Sequence, residues 1–421
     1  MFDVLNAVGG IVVMLVLGYG IVCFVALQVL GNIVGARPLQ VDDVDDSLSV
    51  YYLVPCVDGA AVIAGTVEHL LTQPGDGRVL VIDDGSTDDT VAIAEEAGAA
   101  EVFVIRRSPP QARQGRSAAL NHALPHVVNE VRRRGLDPAR VVVCVLDVAG
   151  RLSPDAPRLV GSLFADDRTG AAQLPVRIRN PRTLFARVQD IGVAGTASTA
   201  QHGRDLLGTV VLNGNGQFTR LSALLELGLE PWSDSLAADL DLMVSLTLAG
   251  WRCRTSTSAW VEQDAVAGWG ALVRQRTRWA HGRLMCAGRS WRVWRSGRVG
   301  TISATELCLQ LLRPWCSTLP WSVMAPVVFA GVVVGVFALG SWAGAGVAVA
   351  AALGVYAVAF VPHAYAAWLY AARSGDYGLV RSYWAQHAAH VLIVVDFVAV
   401  WMALARIMTR GSGRPAHRGD L

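Results

Sequence analysis

Hydrophobic positions follow two different patterns along this chain. Four stretches are almost continuously apolar, at residues 8–36, 321–339, 343–370 and 391–407. Each approaches or exceeds the roughly 20 residues that a helix needs to cross a bilayer. They predict an N-terminal anchor and a C-terminal group of membrane helices. Between the first two, short apolar runs at 49–55, 78–84, 100–106 and 140–147 predict buried strands, and segments 60–73, 87–98 and 117–135 carry apolar residues at helical spacing. Continuous apolar strands alternating with amphipathic helices predict βαβ units and a mostly parallel, Rossmann-like α/β sheet covered on both faces.

Ligands of such sheets bind beyond the carboxyl ends of the strands. Asp58, Asp83, Asp84 and Asp147 all fall at or just past predicted strand ends. Any one of them alone reads as a solvated loop acid or a helix cap, and Ser86 and Thr87 are well placed to cap the next helix. Four acids at one rim point to a site. Further on, residues 234–253 read as a helix ending at Gly250, with Asp239 and Asp241 near its start. An arginine-rich helical segment follows, in which Gln275, Arg278 and Trp279 spell QxxRW. Arginine on one side with tryptophan at headgroup depth describes a helix lying on anionic lipid. That accounts for residues 289–298 but not for the glutamine. The predicted plan is an anchor at 8–36, a central domain at 45–285, basic interfacial helices at 286–318, membrane helices at 319–409 and a basic tail at 410–421.

Composition sharpens this picture. The 421 residues are 53% hydrophobic and 17% charged, and the mean hydropathy of +0.40 is too high for an ordinary soluble protein. The net charge of +2 gives no case for nucleic acid as a partner. All 36 basic residues are arginine, which fits the coding bias of a GC-rich bacterial genome. Seven scattered cysteines without a CxxC pair argue against a zinc site or disulfide framework and for a reducing compartment. The first six residues carry no base, whereas Arg37 and many arginines lie between the first two apolar runs. The expectation is therefore a multi-pass protein of the plasma membrane with its central domain in the cytoplasm. Three C-terminal spans would then leave the basic tail outside, so the span count is off by one or one apolar segment lies in the interface.

Taken in order, these motifs resemble the membrane-bound family 2 glycosyltransferases, the group of cellulose, hyaluronan, chitin and poly-N-acetylglucosamine synthases. That pattern has a first Asp, a second Asp, and a third Asp separated by 35 residues from QxxRW. Here Asp239 and Gln275 enclose residues 240–274, thirty-five in all. The segments "VIDDGSTDDT", "QGRSAALNHAL" and "NGNGQFTR" are similar as well. The resemblance implies a GT-A domain, inserted between transmembrane helices, that takes a sugar from a nucleotide-sugar donor with inversion. It implies Asp239 as the base. Asp83 or Asp84, with Asp58, would face the nucleoside, while Asp147, Arg116, Gln275 and Arg278 would lie at the diphosphate. Trp279, Asn213, Asn215 and Gln217 would line the acceptor side, the acceptor being a glycan or a lipid-linked molecule. Asp147 would approach Mg²⁺ or Mn²⁺.

The chain also departs from that family. DxD reads "DVA", with Ala149 in place of the second acid; TED reads "AAD", with Ala238 in place of Glu; Asn-Glu reads Asp58-Gly59; and Arg116 replaces Lys. Arginine is an obligate cation that still pairs with phosphate, and the arginines of "RRSPPQARQGR" can share the load. Two readings follow: an active transferase, or a weakened scaffold acting as a partner subunit. A transporter has little support, since Asp396 and His363 are the main ionisable groups of the spans.

Overall fold

The computed structural model describes residues 47–98, 101–338 and 377–410, with scattered residues of 26–33 and 346–372. Ten strands are described: β1 Ser49–Cys56, β2 Asp76–Asp83, β3 Val102–Arg106, β4 Val141–Val145, β5 Arg151–Leu152, β6 Thr169–Gln173, β7 Val176–Ile178, β8 Gln217–Arg220, β9 Arg252–Thr255 and β10 Val261–Gln263. Seven form one sheet in the order β3-β2-β1-β4-β8-β6-β9, and β5-β10-β7 form a second, small one. β1 to β4 pair in parallel, as the apolar runs predict. β8 is antiparallel to both β4 and β6.

Alternation along the strands sorts side chains into two cores. Tyr51, Leu53, Leu80, Ile82, Val143 and Val145 face one layer, whereas Tyr52, Val54, Val79, Val81, Val142 and Cys144 face the other. The first layer is covered by helices α3 Arg116–Arg133 and α6 Ala238–Ala249, the second by α1 Ile63–Leu71 and α2 Thr90–Gly98. Burial on both faces is why these strands read as continuous apolar runs. β6 and β8 carried no such signal. "TGAAQ" and "QFTR" are buried at every position yet mostly polar or small; Gln173 and Arg220 are accommodated by hydrogen bonds to backbone groups of the adjoining loops.

Helices α4 Leu184–Asp190 and α5 Ser198–Asp205 are joined by a π-helical turn. After them come α7 Trp269–Cys286, α8 Thr301–Arg313, α9 Leu319–Ala338 and α10 Leu379–Arg410. The segment expected as separate interfacial helices at 286–318 departs from that reading. Val293, Ala304, Leu307 and Leu311 enter the same core as β1 and α6, so α8 belongs to the domain. Exposed Trp291, Trp294 and Ile302 keep an apolar outer face.

Among the described residues one helix is long and apolar enough to cross a membrane, spanning Leu379–Thr409; it begins twelve residues before the expected run at 391–407. α9, over the expected run at 321–339, is free of charge along its 20 residues. Most of the expected spans at 8–36 and 343–370, and the tail beyond Arg410, lie outside the described residues. Of the first span, the described residues are helical and press on α5: a Cβ on Gly31 would fall 1.9 Å from the Thr199 carbonyl oxygen, and one on Gly203 2.5 Å from that of Leu27. Only glycines permit so close a crossing.

Phe218 is wholly enclosed at the centre of β8, where the parallel and antiparallel parts of the sheet meet. Phe218→Ala is expected to cost about 3–5 kcal/mol, read as a lowered unfolding midpoint of the purified protein.

Candidate active site

β4 ends at Val145, and the chain leaves the sheet carrying Asp147. The neighbouring β8 begins at Gln217, opposite Val145, so the "NGNG" loop lies beside Asp147. The Asp147 backbone N–H donates to the Asn215 side-chain oxygen at 3.1 Å, and the Gly216 N–H donates to the Val145 carbonyl at 3.0 Å. Arg116, the first residue of α3, enters the same corner. Its Nη1 donates to Asp147 Oδ1 at 2.7 Å, and its Nη2 to the Gly214 carbonyl at 3.0 Å.

Asp239 completes the corner from the first turn of α6. It is half-buried, with Oδ1 enclosed and without a hydrogen-bond partner. Burial pushes its carboxyl above the ordinary Asp range; the Arg116 charge pulls it back down, and Asp147 pushes it further up. Burial alone would lower Arg116, but Asp147 and Asp239 outweigh it and hold the guanidinium more firmly charged than usual. Gly214 makes this convergence possible: it adopts φ +85°, and a Cβ there would lie 2.5 Å from Asp239 Oδ2 and 3.1 Å from Arg116 Cζ.

Asp58, Asp83 and Asp84 cluster further along the rim. Asp58 accepts from the Thr87 N–H at 2.7 Å, which with other contacts holds its carboxyl below the usual range, and Arg113 reaches it at 3.3 Å. Asp83 is buried and accepts from the Ser86 N–H at 3.0 Å. Asp84 is also buried; one oxygen accepts from Arg107 and from the Arg113 N–H. Its first duty is therefore to shape the loop.

Of the expected acceptor residues, Asn213 is exposed at the rim. Asn215 is buried and committed to Asp147 and, at 3.3 Å, to Gln263. Gln217 departs from the expectation: it is fully enclosed and its amide nitrogen donates to Thr219 at 3.2 Å, so it does not reach the open rim.

α7 carries QxxRW, and helical spacing places Gln275, Arg278, Trp279 and Gly282 on one face. That face meets the approach to α6, because a Cβ on Gly282 would lie 2.6 Å from Ala237 N. Arg276, Thr277, Ala280 and Leu284 occupy the other face. There, Arg276 pairs with Asp396 of α10 at 3.7 Å, and Leu284 packs with Val400 and Ala403. Arg289, just beyond α7, binds Asp241 at 2.6 Å, so the second acid of the α6 start is structural.

Two positioning residues were not anticipated. The Asn121 side chain donates to the Trp232 carbonyl at 2.7 Å and accepts from the Trp232 N–H at 3.1 Å, clamping the segment that leads to α6. Gln173 accepts from the Asn213 N–H at 2.8 Å and donates to the Asn215 carbonyl at 2.6 Å. Asn121 stands inside the "QGRSAALNHAL" segment, the one signal that could have marked it; Gln173 had none.

The expected Mg²⁺ or Mn²⁺ at Asp147 does not fit this donor set. Asp147 already holds a guanidinium, and Ala149 and Ala238 offer no oxygen on their side chains. Among the described residues no group of three His, Cys, Asp or Glu side chains could hold an ion. A divalent ion 4 Å from the Arg116 charge would be repelled by roughly 8 kcal/mol at an effective dielectric of 20.

Comparison with known proteins bears on the family and the fold. The chain is 31% identical over 301 residues to a beta-monoglucosyldiacylglycerol synthase of Nostoc sp., covering 70% of this chain and 61% of that one. It is 24% identical over 244 residues to a poly-beta-1,6-N-acetyl-D-glucosamine synthase of Staphylococcus aureus, covering 57% and 56% of the two chains. The chain thus spans about three fifths of the length of these curated relatives. A mannosyltransferase from Pyrobaculum calidifontis, solved with GDP-Man and Mn²⁺, shares the fold with a TM-score of 0.62 at 17% identity, over 97% of this chain and 100% of that one. Residues 48–282, more than half of the chain, match the model of the family described as "Glycosyltransferase like family 2", and this chain belongs to that family.

Proposed function

We propose that this protein transfers a sugar, with inversion, from a nucleoside diphosphate donor to a hydroxyl of a lipid or of a growing glycan at the cytoplasmic face of a bacterial plasma membrane. The carrying observation is the enclosed, unpartnered Asp239 Oδ1 beside the Arg116–Asp147 pair. The acceptor oxygen attacks the anomeric carbon as the bond to the diphosphate breaks. The acceptor proton passes to Asp239, and the nucleoside diphosphate leaves with the bonding electrons. General-base catalysis of this kind is worth about 10²–10⁴-fold. The growing charge on the leaving group falls where Arg116 stands, and Arg278 is the candidate second cation. Asp58, Asp83 and Asp84 border the nucleoside end, and Asn213 and Trp279 border the acceptor.

A membrane acceptor is favoured by α7, whose opposite faces meet the approach to Asp239 and the apolar helix α10. The Nostoc relative, named for a glucosylated diacylglycerol, supports a lipid product; the Staphylococcus relative supports a polymer. The multi-pass arrangement belongs to this same reading. Ala149 and Ala238 favour the alternative, an inactive scaffold that serves as a partner subunit.

Asp239→Asn separates the two. It is expected to cut nucleotide release from sugar donors by about 10²–10⁴-fold in isolated membranes, with nucleotide binding kept; an unchanged cellular phenotype would favour the scaffold. A carboxyl that holds its proton more tightly folded than unfolded costs stability once pH exceeds its unfolded value. Asp239→Asn should therefore raise the unfolding midpoint at neutral pH, and this gain should fade below the ordinary carboxylate range. The acid limb of the rate–pH profile should lie above that range, because the base must be ionised. Arg116→Ala should move the limb higher still, whereas Arg116→Lys should move it less.

A further inference from the structure

Arg116 stands against Asp147, the acid that the family resemblance would give to an ion. Its guanidinium is pinned at two points, by Asp147 at 2.7 Å and by the Gly214 carbonyl at 3.0 Å. Its side chain is 33% exposed, so part of it is open to solvent. Its Nε is buried and has no partner. Two of its five N–H groups are thus committed, and the fork geometry suits paired phosphate oxygens. Arg116 also begins an 18-residue helix, so the partial positive charge of the helix start adds to its own at the same spot.

We propose that Arg116 serves as the fixed cation of this site, so that the diphosphate of the donor is bound and its leaving charge met without a divalent ion. The proposal rests on the nucleotide-donor reading given above. Three features agree with it. Ala149 stands where an acid would complete a metal pair, Ala238 stands where the family has the Glu before the base, and one oxygen of Asp147 already accepts from Arg116. An unsupported ion would thus meet one occupied carboxylate and a permanent positive charge. Asp147 is accordingly a positioning residue: it aims the guanidinium, which in turn would touch the diphosphate. Lysine, a single point charge, could not hold both anchors and still present a fork.

The test uses the full chain in lipid nanodiscs, with UDP and GDP as probes and binding measured by calorimetry in excess EDTA or excess Mn²⁺. The wild type is expected to bind one of them with dissociation constants that agree within about threefold in the two media, less than one charge-assisted hydrogen bond is worth. Arg116→Ala should weaken binding by about 10- to 100-fold in both media, and Arg116→Lys by less. Adding Ala149→Asp to Arg116→Ala rebuilds a two-carboxylate site, and binding should return with Mn²⁺ but not with EDTA. A wild type that loses binding in EDTA and recovers it in Mn²⁺ overturns the proposal, and that comparison needs no variant to fold. So does an Arg116→Ala chain that binds as tightly as the wild type. Failure to bind either nucleotide in both media would instead sink the nucleotide-donor reading, and this proposal with it.

Discussion

The pairing of Arg116 with Asp147 is the contact on which the rest of the site depends. It joins the end of β4 to the start of α3, and through the Gly214 carbonyl it fixes the loop that leads into β8. It also sets the electrostatics of Asp239. Without a cation nearby, a carboxyl enclosed next to another carboxylate would hold its proton more tightly still. The Arg116 charge offsets part of that upward push. One guanidinium thus serves the geometry of three elements and the ionisation of the residue expected to do the chemistry.

The cost of this arrangement is visible in the backbone. Gly214 tolerates its left-handed conformation and the approach of Asp239 only because it lacks a side chain. Gln173 and Asn215 then replace water in satisfying the loop's backbone groups, as the buried edge of a sheet requires. The loop is held at several points. A cation aimed by one carboxylate has less redundancy than an ion held by several ligands, so its frame must not drift.

How much of this was legible in the sequence varied with the kind of force involved. β1, β2 and β4 announced themselves because both their faces are apolar, and Asp147 and Asp239 followed from strand ends and motif spacing. β6, β8 and β9 gave no such signal, since residues such as Gln173, Thr219 and Arg220 are buried by hydrogen bonding instead of by hydrophobicity. For the same reason Gln217 resembled a ligand contact when it is a structural residue. Asp84 and Asp241 show the converse: both are acids at suggestive positions, and arginines from distant segments pair with them. A partner more than twenty residues away leaves no local trace. The role of α8 was hidden likewise, because tryptophan and arginine on its approach look like a lipid-facing surface while Leu307 and Leu311 pack inward.

The two-sided packing of α7 carries a mechanical consequence. A helix gripped on one side by a glycine contact and on the other by an apolar helix cannot roll without breaking one of them. On the proposed reading that α10 spans a bilayer, a change in its tilt, such as a thinner or thicker hydrocarbon layer would impose, would be passed to Arg278 and Trp279 as torque. The bilayer would then act as part of the frame that sets their aim, and lipid thickness would become a structural parameter of the domain itself.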